Sequence, residues 1–368
     1  MKIAILKGGT NITFSSSNKS AANADILYAL RVIDPSQHEC TIVTNRTRNT
    51  FLPKPLKFLD LKMATVSDFA KFDAVLVFNF SINFFGGKED PSLLNMYRIL
   101  AKTDVPIYYA NTDGQLMFKQ LWPSIWKRDW AKDYNETDFY IKPDKVRYIT
   151  QGRNEAKMEA LIVGKPDHIR VPTSQVRHFR WDATILAKHE KYFSKPPKPF
   201  SERPFELAFG GATRNTHKRK MIERYYQGDE MRTLLFGNLR GVSTKSAKVE
   251  PKCSYQQFIK NMERAEGTVI VGDVAYNDNF FTLRMYESLL AGCLVFIDNQ
   301  LDPRRLFYKQ TKEECNILYV SNAQSVASLF RMMSLLDRQE FANSIREDVL
   351  NGYDLHREHT RLMQLLQS

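Results

Sequence analysis

Short apolar runs alternate with amphipathic stretches of helical length along most of the chain. β-branched and aromatic residues dominate the runs, as at residues 2–6, 73–80 and 107–110. Such runs, separated by periodic segments, are typical of buried strands in a parallel sheet whose crossovers are helices. The first half of the chain therefore predicts one open parallel sheet with helices on both faces.

A charged, proline-rich stretch interrupts this pattern. Residues 188–204, KHEKYFSKPPKPFSERP, have no hydrophobic period and are typical of an interdomain linker. The alternation restarts at Phe205. We therefore expect α/β domains over residues 1–187 and 205–353, joined by this linker. Ligands of such a pair usually bind in the cleft between the domains.

Residues 267–298 place charged groups within an otherwise apolar unit. They predict a strand, a loop with Asp273 at the strand end, a helix and a second strand. Arg284 and Glu287 are three positions apart on that helix and so share a face, among neighbours that are apolar almost all round. They form either a partly buried ion pair or a ligand site at a crevice, and neither interpretation is preferred.

A glycine turn between a strand and a helix, at residues 209–214, predicts an anion site. Backbone amides near Gly211 and the helix dipole favour a phosphate there. Arg284 could join in holding a diphosphate, and Glu287 could accept hydrogen bonds from both hydroxyls of a ribose. A solvated basic helix face is the alternative, and it is preferred for the last two of the basic residues that follow. Those residues are Arg214, His217, Lys218, Arg219 and Lys220.

Two features of the first half have both a functional and a structural interpretation. Asp113 follows an apolar strand and precedes Gly114, which suits a general base in the crevice, although spacing alone favours a turn or cap residue. Phe84 and Phe85 stand before two glycines. They could be exposed tips that stack on or wedge between bases, or they could fold under the loop as core.

Composition limits the class of protein. Lysine and arginine number 53 against 41 acidic residues, which gives a formal net charge of +12. This charge favours a polyanionic partner or phosphorylated substrates, but it does not exclude an ordinary basic enzyme. No apolar run has the length of a membrane span, and the four separated cysteines indicate reduced thiols in a cytoplasmic protein. HExxH, GxSxG, P-loop and Cys/His metal motifs are absent from the sequence.

Longer motifs occur along the chain: MKIAI at the start, SINFFGGK at 81–88, IYY..TD at 107–113, WP....R.W at 122–130, ITQG at 149–152 and YNDNF.TLR..E at 276–287. They resemble one family, the DNA β-glucosyltransferases of T-even bacteriophages, which move glucose from UDP-glucose to 5-hydroxymethylcytosine in duplex DNA. The resemblance runs the whole length of the chain. It implies an inverting enzyme with a GT-B fold: two Rossmann-like doubly wound domains facing across a cleft, with a final helix at 354–368 that packs back on the first.

The resemblance also implies a role for individual residues. Asp113 matches the catalytic base, which outweighs the turn interpretation, and Phe85 matches the aromatic that fills the gap left by a flipped base. The other implied contacts are Arg214 and Arg284 at the diphosphate with His217 or Lys218 replacing a second arginine, Glu287 at the ribose, Asp25 and Asp273 at the sugar, Lys252 and Cys253 at the uracil, and Asn83, Phe84 and Lys88 at the DNA.

Departures from the family pattern concern the donor sugar. Asp25 is one methylene shorter than the matching glutamate, and the loop at residues 8–20 is longer. Both border the sugar, so the donor is UDP-glucose or a UDP-pentose such as UDP-arabinose. A GT-B enzyme with a non-DNA acceptor and an inactive DNA-binding relative are the rival hypotheses.

The resemblance sets the expected partners and location. We expect a monomer that binds UDP-sugar and double-stranded DNA containing 5-hydroxymethylcytosine, without a membrane, in the cytoplasm of an infected host. Any Mg²⁺ or Mn²⁺ would bind the UDP diphosphate rather than a protein metal cluster.

Overall fold

The computed structural model divides into two compact units. Met1–Ala187 and Leu355–Ser368 form the first unit, and Lys188–Asp354 form the second. The residues that the structure describes are 1–6, 30, 32–44, 56–78, 91–111, 138, 141, 145–150, 176–178, 195–213, 215–227, 229–253, 255–274, 276–279, 281–308, 313–351 and 354–368.

The first unit is built on a parallel sheet, with seven strands among its described residues. They are β1 (Lys2–Leu6), β2 (Glu39–Thr44), β3 (Lys57–Asp60), β4 (Ala74–Phe78), β5 (Ile107–Asn111), β6 (Val146–Thr150) and β7 (Val176–His178). Their order is β3-β2-β1-β4-β5-β6-β7, so the direction of winding reverses between β1 and β4. This reversal defines a doubly wound sheet, as predicted.

Apolar central strands hold the first unit together. Every residue of β4 is completely buried, as expected where both faces of a parallel sheet are covered. The helices are α1 (Val66–Phe69), which begins with a capping box at Thr65 and Asp68, and α2 (Pro91–Lys102). The final helix, spanning Leu355–Gln367, belongs to this unit, since the Tyr108 hydroxyl donates to the Leu366 carbonyl at 3.0 Å.

The second unit repeats the plan. Its described strands are β8 (Phe205–Ala212), β9 (Thr233–Asn238), β10 (Lys248–Glu250), β11 (Ala265–Ile270), β12 (Leu294–Asp298) and β13 (Tyr319–Val320). Their order is β10-β9-β8-β11-β12-β13 and all pairs are parallel. Numbered within the unit this is 3-2-1-4-5-6, the order of dinucleotide-binding sheets, with its switch point between β8 and β11.

Helices connect these strands and supply the rest of the core. They are α3 (Thr216–Tyr225), α4 (Tyr255–Met262), α5 (Leu283–Leu290), α6 (Ala323–Met332) and α7 (Leu335–Asn351), with 3-10 turns at Phe200–Glu202 and Glu313–Leu318; the final helix of the first unit is α8. In this unit α4 packs on β8, and α5 packs on β11 and β12. Among the described helices, none combines the length and apolarity needed to cross a membrane.

Most differences from the predicted elements fall at boundaries. The sequence pattern predicts a helix over residues 254–265, but the helix ends at Met262, because Ala265 already pairs with Phe205 as the first residue of β11. The pattern also predicts a strand over residues 317–320, whereas Ile317 lies in a 3-10 turn. The outer strands β3, β7 and β10 were not predicted. Each has four residues or fewer and includes charged side chains, so it shows no hydrophobic period.

Candidate functional site in the second unit

The switch point of the second sheet brings four candidate segments together. β8 and β11 are parallel neighbours, so their carboxyl ends lie at the same edge. α3 begins just after β8, and α5 follows the loop that leaves β11. Ligands of doubly wound sheets bind beyond this edge, at the point where the strand order reverses. The candidate residues of the second unit can therefore act on one ligand.

Glycines allow the end of β8 to pass close to its neighbours. A Cβ on Gly210 would come within 2.3 Å of the Phe258 ring, and one on Gly237 (φ +131°) within 1.8 Å of the Gly211 carbonyl oxygen. Gly211 itself pairs with Gly237, so it lies in β8. This corrects the predicted turn at residues 209–214, because the strand continues through Ala212.

The start of α3 is tied to the loop after β11. The Asn215 side chain accepts a hydrogen bond from the Lys218 amide at 2.8 Å, which caps the helix, and donates from Nδ2 to Asp273 Oδ1 at 3.1 Å. Lys218 Nζ donates to the Val271 carbonyl at the end of β11. The cap residue Asn215 and the basic residue Lys218 thus both contact the segment that follows β11.

The other basic residues of α3 differ in position. His217 is partly buried, and its Nε2 atom has no hydrogen-bond partner among the described residues. Arg219 lies beside the turn at Gly241, and Lys220 is exposed. The solvated-face interpretation therefore fits Lys220 best.

Arg284 and Glu287 form the partly buried ion pair that is one of the two sequence interpretations. Arg284 Nη1 donates to Glu287 Oε2 at 3.0 Å; the glutamate side chain is 2% exposed and the arginine 39%. The guanidinium also lies 3.8 Å from the centre of the Phe258 ring on α4. Stacking occupies the face of a guanidinium, whereas phosphate contacts use its edge. The pair is partly buried, and its cation remains accessible to an anion.

Lys252 and Cys253 precede α4 close to this pair. Lys252 is exposed and Cys253 is partly buried. Burial raises the pKa of the Cys253 thiol, and the positive charge of Arg284 opposes that rise. The thiol therefore lies within electrostatic reach of the guanidinium, so the segment predicted to contact uracil is near the predicted diphosphate contact.

The loop after β11 is held by its own backbone and by a second loop. The Asp273 carbonyl accepts hydrogen bonds from the amides of Tyr276 and Asn277 at 2.8 and 3.1 Å. Asp278 has a positive φ of 54°, and Arg304 Nε donates to its Oδ1 at 2.9 Å. Asp273 is therefore presented from a fixed turn. Sequence reasoning missed Asn215, Asp278 and Arg304, although an asparagine before a basic helix is a recognisable cap signal.

The predicted site residues of the first unit lie outside the residues that the structure describes, and so does Arg214 of the second unit. Among the residues that are described, no group of three His, Cys, Asp or Glu side chains has the arrangement of a metal site. The candidates that lie outside the described residues are Asp25, Asn83, Phe84, Phe85, Lys88, Asp113 and Arg214.

The two doubly wound sheets place the chain among the GT-B folds. The structure of T4 phage BGT in complex with UDP and Mn²⁺ aligns with a TM-score of 0.71 at 22% identity, covering 100% of both chains. The T4 phage BGT structure with its UDP-glucose substrate gives the same TM-score of 0.71 at 22% identity, also with full coverage. These alignments confirm the predicted fold class.

Sequence comparison identifies the relatives of this GT-B chain. Residues 1–171 match the family model described as Bacteriophage T4 beta-glucosyltransferase. The DNA beta-glucosyltransferase of Enterobacteria phage T4 is 27% identical over 362 residues, which are 95% of each chain. The chain is thus similar to the T4 enzyme over nearly its whole length, and the resemblance carried by the motifs is confirmed.

Proposed function

We propose that the protein is an inverting glycosyltransferase that moves a sugar from a UDP-sugar to the 5-hydroxymethyl group of modified cytosine in duplex DNA. Similarity to a DNA beta-glucosyltransferase over 95% of both chains carries this proposal. The net charge of +12 supports a polyanionic acceptor. The T4 phage structures contain UDP with Mn²⁺ and UDP-glucose, which supports a UDP-sugar as the donor.

The donor binds at the switch point of the second sheet. Arg284 contacts the diphosphate with the edge of its stacked guanidinium, and the positive end of α3 adds to the field there. Glu287, two per cent exposed beside Arg284, accepts hydrogen bonds from the ribose hydroxyls. Asp273 accepts from hydroxyls of the sugar, and Lys252 and Cys253 contact the uracil.

Lys218 is the better substitute for the missing second arginine. Its ammonium group donates to the Val271 carbonyl, which puts a positive charge at the carboxyl edge of β11. Nε2 of His217, in contrast, is a buried atom. We therefore assign the second diphosphate contact to Lys218, in addition to the contacts proposed for Gly211 and Arg214.

The chemistry needs a base and a stabilised leaving group. Asp113 takes the proton of the hydroxymethyl group while that oxygen attacks the anomeric carbon, and UDP leaves from the opposite face, so the configuration inverts. Arg214, Arg284 and Lys218 stabilise the charge that develops on UDP, and a divalent ion bound to the diphosphate would neutralise part of it. Phe85, with Asn83, Phe84 and Lys88 beside it, fills the gap left by the flipped cytosine.

The donor sugar is glucose or a pentose such as arabinose. The UDP-glucose substrate of the T4 phage relative favours glucose. The shorter Asp25 side chain and the longer loop at residues 8–20 favour a different sugar. Competition between UDP-glucose and UDP-arabinose in one reaction decides between a hexose and a pentose, because the two products differ in mass.

Nucleoside mass spectrometry tests the proposal directly. Wild-type protein, Asp113→Ala and Asp113→Asn are each incubated with these UDP-sugars and with hydroxymethylated or plain duplex DNA. We expect the sugar on hydroxymethylcytosine only with wild type, and a loss of at least about 100-fold in both variants, since the general base is removed. Transfer by Asp113→Ala at the wild-type rate would refute the assigned base.

Two further outcomes separate the rival functions. UDP-sugar hydrolysis without any DNA product would favour a GT-B enzyme with another acceptor. A failure to release UDP with every donor on modified DNA would favour an inactive DNA-binding relative. Phe85→Ala should slow transfer to duplex DNA but leave donor hydrolysis intact, and unchanged DNA kinetics would place Phe85 in the core.

A further inference from the structure

One side chain at the switch point has two partners on different segments. Asn215 Oδ1 accepts from the Lys218 amide at 2.8 Å, while its Nδ2 donates to Asp273 Oδ1 at 3.1 Å. These contacts determine the orientation of the carboxamide, because a flipped group would point its oxygen at a carboxylate and its nitrogen at an N–H. Asn215 therefore links the start of α3 to the loop after β11.

A second asparagine cap shows which of these contacts capping requires. Asn322 caps α6 with almost the same backbone, φ −162° and ψ 172° against −153° and 172° for Asn215. Its Oδ1 accepts from the Ser325 amide at 2.9 Å. Of these two asparagines, only Asn215 donates a hydrogen bond to a carboxylate within the described part of the chain. Helix capping uses the oxygen alone, and serine or aspartate would serve equally well.

The nitrogen of Asn215 therefore has a separate effect, on Asp273. The backbone of Asp273 is already fixed, because its carbonyl accepts from the Tyr276 and Asn277 amides. Its carboxylate is only partly buried, and rotation about the side-chain bonds would change where its acceptor oxygens point. A donor 3.1 Å from Oδ1 selects one of those orientations.

We propose that Asn215 is a positioning residue for the donor sugar. It holds the Asp273 carboxylate in the orientation that accepts sugar hydroxyls, and it couples that carboxylate to the helix start that faces the diphosphate. The inference rests on the proposed function, since it needs a UDP-sugar at this edge. It predicts that Asn215 acts on the sugar part of the donor and not on the nucleotide part.

Asn215→Ser separates the two contacts of the carboxamide. Serine keeps a capping oxygen, adds no charge next to the diphosphate and is too short to reach Asp273. By titration calorimetry we expect the affinity for UDP-glucose to fall by about 5- to 10-fold, as for one lost hydrogen bond to a charged group. The affinity for UDP, which has no sugar, should change by less than about 2-fold.

Two controls distinguish positioning from a general effect on the fold. Asn322→Ser makes the same replacement at the matched cap and should alter neither affinity. Asp273→Ala removes the acceptor of this hydrogen bond, so adding Asn215→Ser to it should cause no further loss for UDP-glucose. Thermal unfolding of each variant checks that the caps are retained, and Asn215→Thr repeats the test with another capping residue if the serine variant unfolds.

The outcomes are distinct. Equal losses for UDP and UDP-glucose, or no loss for either, would overturn the positioning role while the proposed function stands. A wild-type protein that binds neither ligand would refute the proposed function and the inference with it. A selective loss for UDP-glucose that disappears in the Asp273→Ala background supports the inference.

Discussion

The amino and carboxyl ends of the strands in the second sheet use arginine in opposite ways. At the amino edge, Arg203 and Arg338 are 3% and 8% exposed. Arg203 donates to the carbonyls of Lys198, Ala265 and Ala291 at 2.6 to 3.1 Å. At the carboxyl edge, Arg284 is 39% exposed and stacks on an aromatic ring. Within the described residues its hydrogen-bond acceptor is Glu287.

This difference separates a structural cation from a binding cation. Burial lowers the pKa of Arg203. The carbonyl oxygens that surround the guanidinium offset this cost and keep the group charged. Burial likewise raises the pKa of Glu266, and the hydrogen bonds from Arg338 oppose that rise. Groups with such complete internal contacts have little capacity left for a ligand. The accessible edge of Arg284 can exchange water for phosphate without breaking the fold.

The largest effect is expected from Arg203→Met. The change removes the arginine donor from the buried carbonyl oxygens of Ala265 and Ala291 and from the partly buried one of Lys198, and the unfolding free energy should fall by about 3–5 kcal/mol. Urea denaturation followed by far-UV circular dichroism measures this loss. Arg224→Met, on an exposed position of α3, is the control and should stay within about 0.5 kcal/mol of wild type. A loss below about 1 kcal/mol for Arg203→Met would contradict its structural role.

Arg284→Met should reverse this pattern. The stability loss is expected to be about 1–2 kcal/mol, because solvent replaces part of what a half-exposed cation contributes to Glu287. UDP affinity should fall by roughly 10- to 100-fold, as for a lost charge-assisted contact. Arg284→Lys keeps the charge but not the planar edge, so its affinity should be intermediate. If Arg284→Met binds UDP as wild type does, the carboxyl edge does not hold the diphosphate.

The sequence allowed the strand pattern to be predicted but not the contacts between distant segments. The three-residue spacing of Arg284 and Glu287 placed them on one helix face, and the structure has them paired. The stack of Arg284 on Phe258 could not be predicted, because it joins side chains of α4 and α5, and these helices meet only once the strands are arranged in the sheet. The contact of Asn215 with Asp273 spans 58 positions and likewise depends on β8 lying beside β11.

The roles predicted for the first unit depend on resemblance more than on pattern. Spacing alone favoured a turn at Asp113, and only the family motif made it a base. Local pattern reports burial and helix faces, which are properties of short segments. Catalytic assignment needs the segments to be brought together in space.

A further arginine, Arg264, separates exposure from internal pairing, and it carries the smallest predicted effect. Arg264 is 30% exposed, yet both its Nη atoms donate to Glu250, at 2.7 and 2.9 Å. These hydrogen bonds, together with the ammonium group of Lys248, lower the pKa of Glu250 to about 2. Because the folded value lies below the ordinary value of 4.5, the pair stabilises the fold above that pH and stops doing so as the pH falls towards 2.

Glu250→Gln should therefore cost about 1 kcal/mol of unfolding free energy at pH 7 and progressively less below pH 4.5. Urea denaturation of both proteins between pH 7 and pH 3 measures the difference. UDP affinity at pH 7 should not change, because the acceptors of Arg264 are internal even though the side chain is partly exposed. A loss of UDP affinity in this variant would contradict this explanation. It would mean that an arginine binds ligand because it is exposed, and not because it lacks internal acceptors.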